Sequence, residues 1–129
     1  MKTLISTLTL SLAFVLVSFT GQIGIDEVIS AIKTGNAGEL SKFIDDNVEI
    51  TLPDKSDSYS KSQATLILRD FFKNNDVKSF EVKHKGDGQS GQFCVGTLMT
   101  SSGNYRTTVF MRMKANKQIV KELRFLSMD

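Results

Sequence analysis

The sequence predicts an α+β domain in which an antiparallel sheet packs against helices. In the first half of the chain apolar residues recur at three- and four-residue spacings, which is typical of helices. From Phe80 onward apolar and polar residues alternate, which indicates strands, and short turn segments separate four such runs. A chain of 129 residues with 40% hydrophobic and 23% charged residues forms one globular domain, and this composition excludes a disordered chain.

The first twenty residues have the pattern of a secretory signal peptide. A positive charge at Lys2 precedes the uncharged segment 4–19, and the next charge is Asp26. The segment is short and rich in Ser and Thr, whereas a membrane span needs roughly 20 mostly apolar residues. An uncleaved anchor or a buried helix is the alternative. We expect cleavage after Thr20, which leaves residues 21–129 as the domain.

This leader predicts an exported protein of the periplasm or the extracellular space. The mature chain is then soluble, with no membrane span after cleavage. No cysteine lies near the cleavage site, so attachment of a lipid to a new N-terminal cysteine is excluded.

The domain is predicted to begin with two short helices. The first carries one apolar stripe and ends at Gly35. The second starts at Asn36, which with Glu39 matches a capping box. The stripes consist of Ile25, Val28, Ile29 and Ile32 in the first helix and of Leu40, Phe43 and Ile44 in the second.

A short strand over 48–52 is predicted next, followed by a loop over 53–58 and by the strongest helix of the chain. Ser60 and Gln63 form a capping box at the start of this helix, which runs from Lys61 to about Asn74. Its apolar stripe consists of Ala64, Ile67, Leu68, Phe71 and Phe72.

Four strands complete the predicted order α-α-β-α-β-β-β-β. They begin near Phe80, Phe93, Tyr105 and Ile119. Because the turns between them are short, neighbouring strands must be antiparallel. The long helix must cover one face of this sheet so that both apolar surfaces are buried.

Short motifs along nearly the whole mature chain carry a resemblance to a known family. They are residues 35–37, 40–43, 60–64, 71–72, 83–86, 96–98 and 105–106. Together these motifs resemble one family of small exported bacterial proteins, a domain of unknown function. The family has the cone-shaped fold of the nuclear transport factor two-like superfamily, which is related in shape to cystatin folds. The resemblance implies a cavity between a curved sheet and helices. It implies no established activity, because the superfamily includes isomerases, dehydratases and polyketide cyclases as well as non-enzymatic binding and dimerisation domains.

His84 is the first candidate site residue. It alternates in phase with Phe80 and Val82, so we expect it to face the helices, with Lys83 and Lys85 solvated on the opposite face. There it could act as a general base or bind an anionic ligand. The favoured alternative is a partly buried histidine that hydrogen-bonds to a backbone carbonyl.

Tyr105 and Arg106 are the second candidates, and Tyr59 completes the candidate ligand-binding set. Adjacent strand residues face opposite ways, so one of the pair points into the cone. An inward Tyr105 places a hydroxyl at the mouth of the cone, whereas an inward Arg106 could bind a carboxylate. The sequence leaves both possibilities open, together with ordinary cross-strand packing.

Several classes of site are excluded or disfavoured. One Cys and one His cannot form a zinc site, and we expect no metal and no cofactor. A net charge of +2 gives no basis for binding nucleic acid. Cys94 is interpreted as a small buried hydrophobic residue. Asp45, Asp46 and Asp54 are interpreted as polar ends of elements and turns rather than as a carboxylate site.

Three functional hypotheses remain. The first is a non-enzymatic domain that binds a small ligand or peptide in a cone-shaped pocket. The second is a module that forms a homodimer through the outer sheet face, with Leu98 and Phe110 as contacts. The third is an enzyme of the isomerase or hydrolase type that uses His84. A deep cavity with His84 and Tyr105 or Arg106 converging favours a ligand or a substrate, and a filled cavity favours the module.

Overall fold

The computed structural model describes residues 24–88 and 90–128, and the predicted signal peptide lies outside them. The predicted elements occur in the predicted order, and the described residues form one strand more than predicted. The helices are α1 (Ile25–Lys33), α2 (Ala37–Ser41) and α3 (Lys61–Asn74). The strands are β1 (Ile44–Leu52), β2 (Lys55–Ser60), β3 (Val77–Gly88), β4 (Gly91–Thr100), β5 (Gly103–Lys114) and β6 (Lys117–Ser127).

The strands form a six-stranded sheet in the order β2-β1-β6-β5-β4-β3. β3 to β6 form the predicted antiparallel meander. β1 pairs in parallel with β6, the last strand of the chain. Within the described residues, no helix is long and apolar enough to cross a membrane.

Two expectations about the segment before α3 are wrong. The predicted loop over 53–58 contains most of β2, which pairs with β1 in an antiparallel hairpin. β2 is a polar edge strand held by main-chain hydrogen bonds, so it lacks the alternation that predicts strands. Ile44 begins β1 rather than ending α2, because the carbonyl of Phe43 accepts a 2.6 Å hydrogen bond from the amide of Val120.

The long helix has the predicted boundaries. Ser60 accepts from the amide of Gln63, and the side chain of Gln63 accepts from the amide of Ser60, so both halves of the capping box are present. Two orphan amides at the helix start are thereby satisfied. The helix buries Ala64, Leu68, Phe71 and Phe72 against the sheet, whereas Ile67 stays partly exposed.

Aromatic side chains fill the interior of the cone. The ring of Phe125 on β6 lies 4.6 Å from that of Phe71 and 6.2 Å from that of Phe72, measured between centroids. Tyr105 lies at the open end of this cluster, with its ring edge-on to Phe71 at 5.3 Å. The open space that remains among these elements is therefore a groove at the mouth of the cone.

The close approach of β3 to β4 requires a glycine at position 96. A Cβ atom at Gly96 would lie 2.5 Å from the carbonyl oxygen of Glu81 and 2.7 Å from the ring of Phe80. Glycine at this position leaves room for the ring of Phe80, which is 4% exposed and belongs to the core.

Candidate functional site

A groove of about 340 Å³ lies between the β1–β2 turn, the last turn of α3 and the start of β5. We call it the cone-mouth groove. Its apolar walls come from Leu52, Ile67, Phe71 and Tyr105, and its polar rim comes from Asp54, Lys55, Asp70, Asn74 and Asn75.

The amide side chain of Asn75 joins three parts of this groove. Its Oδ1 accepts hydrogen bonds from the hydroxyl of Tyr105 at 2.8 Å and from the hydroxyl of Ser102 at 2.6 Å. Its Nδ2 donates to the carbonyl oxygen of Phe71 at 2.9 Å. The end of α3 is therefore fixed to the start of β5, and the single proton of the Tyr105 hydroxyl is already used.

Three charged side chains line the rim. Asp54, Lys55 and Asp70 are exposed, and none of them forms an ion pair with another described residue. Asp70 lies in the last turns of α3, where the carbonyl end of a helix carries a partial negative charge. The rim is therefore net negative.

His84 does not face the helices, so that expectation is wrong. The β3–β4 register shifts between Val82 and His84, and this irregularity moves His84 opposite Val95 on the outer face of the sheet. His84 is exposed there. A count of alternating residues fails at this point because the bulge inserts one residue into the period of two.

The same bulge places Lys85 on the helix side of the sheet, so its expected face is wrong, although its side chain is exposed as predicted. Lys85 pairs with buried Cys94, and its Nζ reaches the Asp26 carboxylate of α1 at 2.8 Å. Lys83 lies 2.6 Å from Glu81. None of these residues lines the cone-mouth groove.

The structure shows which of the two alternating sets of β5 side chains faces inward. Thr107, Val109 and Met111 are buried in phase with Tyr105, so Tyr105 faces inward. Arg106 is exposed on the outer face between Thr97 and Leu126. An inward Arg106 that binds a carboxylate is excluded.

Tyr59 packs elsewhere. It is a residue of β2, lies opposite Val48 of β1 and contacts the hydrophobic core. Of the four candidate residues, Tyr105 alone lines the cone-mouth groove.

The outer sheet face carries an aromatic pair. Phe93 and Phe110 are directly opposite each other on β4 and β5, and both are partly exposed. The guanidinium carbon of Arg124 lies 5.7 Å from the ring centroid of Phe110. Leu98 was expected on this face, but it is 0% exposed and belongs to the core, since even-numbered β4 residues point inward.

Asp45 forms a charged cross-link that sequence reasoning did not find. Its two carboxylate oxygens accept from Arg112 at 2.7 Å and from Lys114 at 2.8 Å. Hydrogen bonds from these cations and from the amide of Asp46 hold the pKa of Asp45 well below its usual range. The partners are 67 and 69 residues away, so no local pattern could have indicated them.

Cys94 is buried in β4, as predicted. Burial raises the pKa of its thiol to about 11, which makes the nucleophilic thiolate scarce. Among residues 24–88 and 90–128, no group of three His, Cys, Asp or Glu side chains is placed to hold a metal ion.

Sequence reasoning missed most of the groove. Asn75 was read only as the end of a helix and Ile67 only as a core residue, because both signals are local. Ile67 lines the groove together with the turn of the β1–β2 hairpin, whose second strand was not predicted.

Comparisons with known proteins agree with this architecture. The model of a family described as a domain of unknown function, DUF4783, matches residues 25–125. A DUF4783 family protein from Bacteroides uniformis is 36% identical, with a TM-score of 0.78 over 81% of this chain and 96% of that chain. One from Bacteroides ovatus is 33% identical, with a TM-score of 0.77 over 80% and 94%.

More distant similarity concerns the fold alone. An NTF2-like protein of unknown function from Cytophaga hutchinsonii is 11% identical, with a TM-score of 0.58 over 80% of this chain and 85% of that chain. A search among curated proteins finds no match. The chain thus belongs to the DUF4783 family of domains of unknown function and has an NTF2-like α+β fold.

Proposed function

We propose that this protein is an exported, non-catalytic binding domain and that a small molecule or short peptide occupies the cone-mouth groove. The interior of the cone is filled, and His84 and Arg106 do not converge there, so the proposal rests on the groove at its mouth. Its volume of about 340 Å³ lies within the usual range of small-ligand sites. It combines apolar walls with a few polar groups at the rim, which is the composition such sites have.

The rigidity of the groove supports this proposal. Tyr105 is held by Asn75 and packs edge-on against Phe71, whose ring lies against Phe125. A wall that is already ordered loses little conformational freedom when a ligand binds.

The position of His84 disfavours the enzyme hypothesis that depended on this histidine. General acid–base chemistry needs a positioned group within hydrogen-bond reach of the reacting atom. His84 lies on the outer face of the sheet, whereas the groove is lined by Tyr105 on the inner side. The described residues therefore bring no histidine to the groove.

Export is part of the same proposal and rests on the leader sequence. The uncharged segment 4–19 after Lys2 is typical of a secretory signal peptide. The family match begins at residue 25, after the proposed cleavage site.

A small-molecule screen by thermal shift tests the binding function. A ligand that binds only the folded state stabilises it, and the stabilisation grows with the logarithm of the ligand concentration above Kd, so binders raise the melting temperature. Ile67→Lys places a charge in the groove wall and should abolish the shifts. Leu66→Lys is the matched control, because Leu66 is the neighbouring residue on α3, is 58% exposed and lies outside the groove. Shifts that survive Ile67→Lys would refute the groove as the site.

The second candidate function is a homodimer through the outer sheet face. Two observations favour it: aromatic side chains fill the interior of the cone, and a second sheet could cover the partly exposed Phe93–Phe110 pair. Light scattering over a range of concentrations tests it. Phe110→Lys should convert a dimer to a monomer while Leu66→Lys does not. A wild-type monomer at high concentration would exclude this function.

A further inference from the structure

We propose that the ligand of the cone-mouth groove is a small organic cation, with an apolar body and a protonated amine. This inference rests on the proposed binding function and specifies the chemical class of the ligand. It is argued from the charge of the rim, from the hydrogen-bonding capacity of the polar groups and from the aromatic wall.

The charges at the rim favour a cation. Two carboxylates, Asp54 and Asp70, face one ammonium group, Lys55. The last turn of α3 reaches the same rim at Asn74, and the C-terminal end of a helix adds partial negative charge. A carboxylate or phosphate ligand would meet repulsion from each of these sources except Lys55.

Three polar groups of the groove can only accept hydrogen bonds from a ligand. The Tyr105 hydroxyl donates its proton to Asn75, so its remaining capacity toward a ligand is to accept. The ionised carboxylates of Asp54 and Asp70 are acceptors only. The side-chain oxygen of Asn75 already accepts from Tyr105 and Ser102, and one of its amide protons is donated to the carbonyl oxygen of Phe71. A ligand that pairs with Tyr105 and the two carboxylates donates hydrogen bonds, as a protonated amine does, while Lys55 and the Asn74 amide remain as the donors of the rim.

The aromatic wall accounts for the apolar body of the ligand. The rings of Phe71 and Tyr105 both line the groove, with centroids 5.3 Å apart. Aromatic rings bury apolar surface and also attract cations through their quadrupole. The space of about 340 Å³ suits a molecule of one ring with a short side chain.

A series of three matched probes tests the ligand class. The probes are 2-phenylethylamine, 2-phenylethanol and 3-phenylpropanoate, which share one body and differ in the charge of the head group. Each is titrated into the isotope-labelled exported protein, and backbone amide shifts are followed by NMR. We expect the amine to bind with a dissociation constant of about 1 mM, as suits a ligand of nine heavy atoms.

The alcohol should bind about tenfold more weakly than the amine, because it lacks the charge-assisted hydrogen bond. The carboxylate should not saturate. Perturbed amides should cluster at Lys55, Ile67, Asn75 and Tyr105. Added salt should weaken the binding of the amine but not that of the alcohol.

Charge-neutralising variants locate the cation. Asp70→Asn should weaken the affinity for the amine about two- to fivefold, as expected for the loss of an exposed ion pair. The affinity for the alcohol should stay unchanged. Asp87→Asn is the control, because Asp87 is also an exposed aspartate but lies outside the groove.

The outcomes separate the ligand class from the binding function. Saturable binding of the carboxylate, or equal affinity for all three probes, would overturn the proposal that the ligand is a cation. The groove would remain a ligand site. Binding of the amine that does not reach saturation would also overturn the proposal of a cationic ligand. Failure of the whole thermal-shift library, by contrast, overturns the proposed function.

Discussion

The hydroxyl of Tyr105 donates a 2.8 Å hydrogen bond to the side-chain oxygen of Asn75, thirty residues earlier in the chain. The same oxygen accepts from Ser102 in the β4–β5 turn. One amide side chain thus ties the end of α3 to the sheet and fixes one wall of the cone-mouth groove.

Tyr105→Phe tests this link. The change removes one partly buried hydrogen bond and leaves the ring in place, so we expect the free energy of unfolding to fall by about 1 kcal/mol. Urea denaturation measures it. Tyr59→Phe is the control, because the Tyr59 hydroxyl makes no hydrogen bond to another described residue. Equal losses in the two variants would show that the link to Asn75 has no special role.

Phe71→Ala tests whether α3 is the main cover of the core. Phe71 is 7% exposed and contacts the rings of Phe72, Tyr105 and Phe125. We expect a loss of about 3–5 kcal/mol in the free energy of unfolding, the usual range for a buried phenylalanine. Leu66→Ala should cost under about 0.5 kcal/mol. A loss below about 1 kcal/mol for Phe71→Ala would contradict the helix register.

Asp45→Asn tests the cross-link between β1 and β5. The folded state lowers the pKa of Asp45 from its ordinary value of 3.8, so its stabilisation is complete above that value and is lost as the pH falls. At pH 7 the variant should lose about 1 kcal/mol. The difference from wild type should shrink between about pH 5 and pH 2. A difference that stays constant over this range would exclude the ion pairs as its source.

Gly96→Ala tests the close approach of β3 and β4. A Cβ atom at this position would come within 2.5 Å of the backbone oxygen of Glu81, so a strand must move. We expect a loss of more than about 1 kcal/mol in the free energy of unfolding, as for other overpacked core sites. Gly38→Ala is the control, because a Cβ there has its nearest neighbour at 3.4 Å, the side-chain oxygen of Asn36.

The leader prediction is tested by intact mass. Protein recovered outside the cytoplasm should lack about the first 20 residues, as expected of a cleaved signal peptide. Recovery of the exported protein with Met1 attached would exclude cleavage.

The sequence predicted those parts of the fold that depend on neighbours along the chain. Both ends of α3 follow from a capping box and a stripe that lie within the helix itself. The turn at Ala115–Asn116 is likewise local, and both residues have positive φ.

Errors arose where a partner far along the chain decides the structure. His84 was placed on the wrong face because a bulge against β4 interrupts the alternation of β3. β2 was missed because an exposed polar edge strand is specified by pairing rather than by apolar residues. The sequence predicted Tyr105 at the mouth of the cone but not the rest of the groove, since Tyr105, Asn75 and Leu52 meet only in the folded chain.

The most direct test of the cone-mouth groove is the location of the amide shifts that the strongest thermal-shift binder produces in the exported protein. The account predicts shifts confined to residues 52–55, 67–75 and 105, which surround the groove. Shifts that cluster instead around Phe93 and Phe110 on the outer sheet face would contradict it.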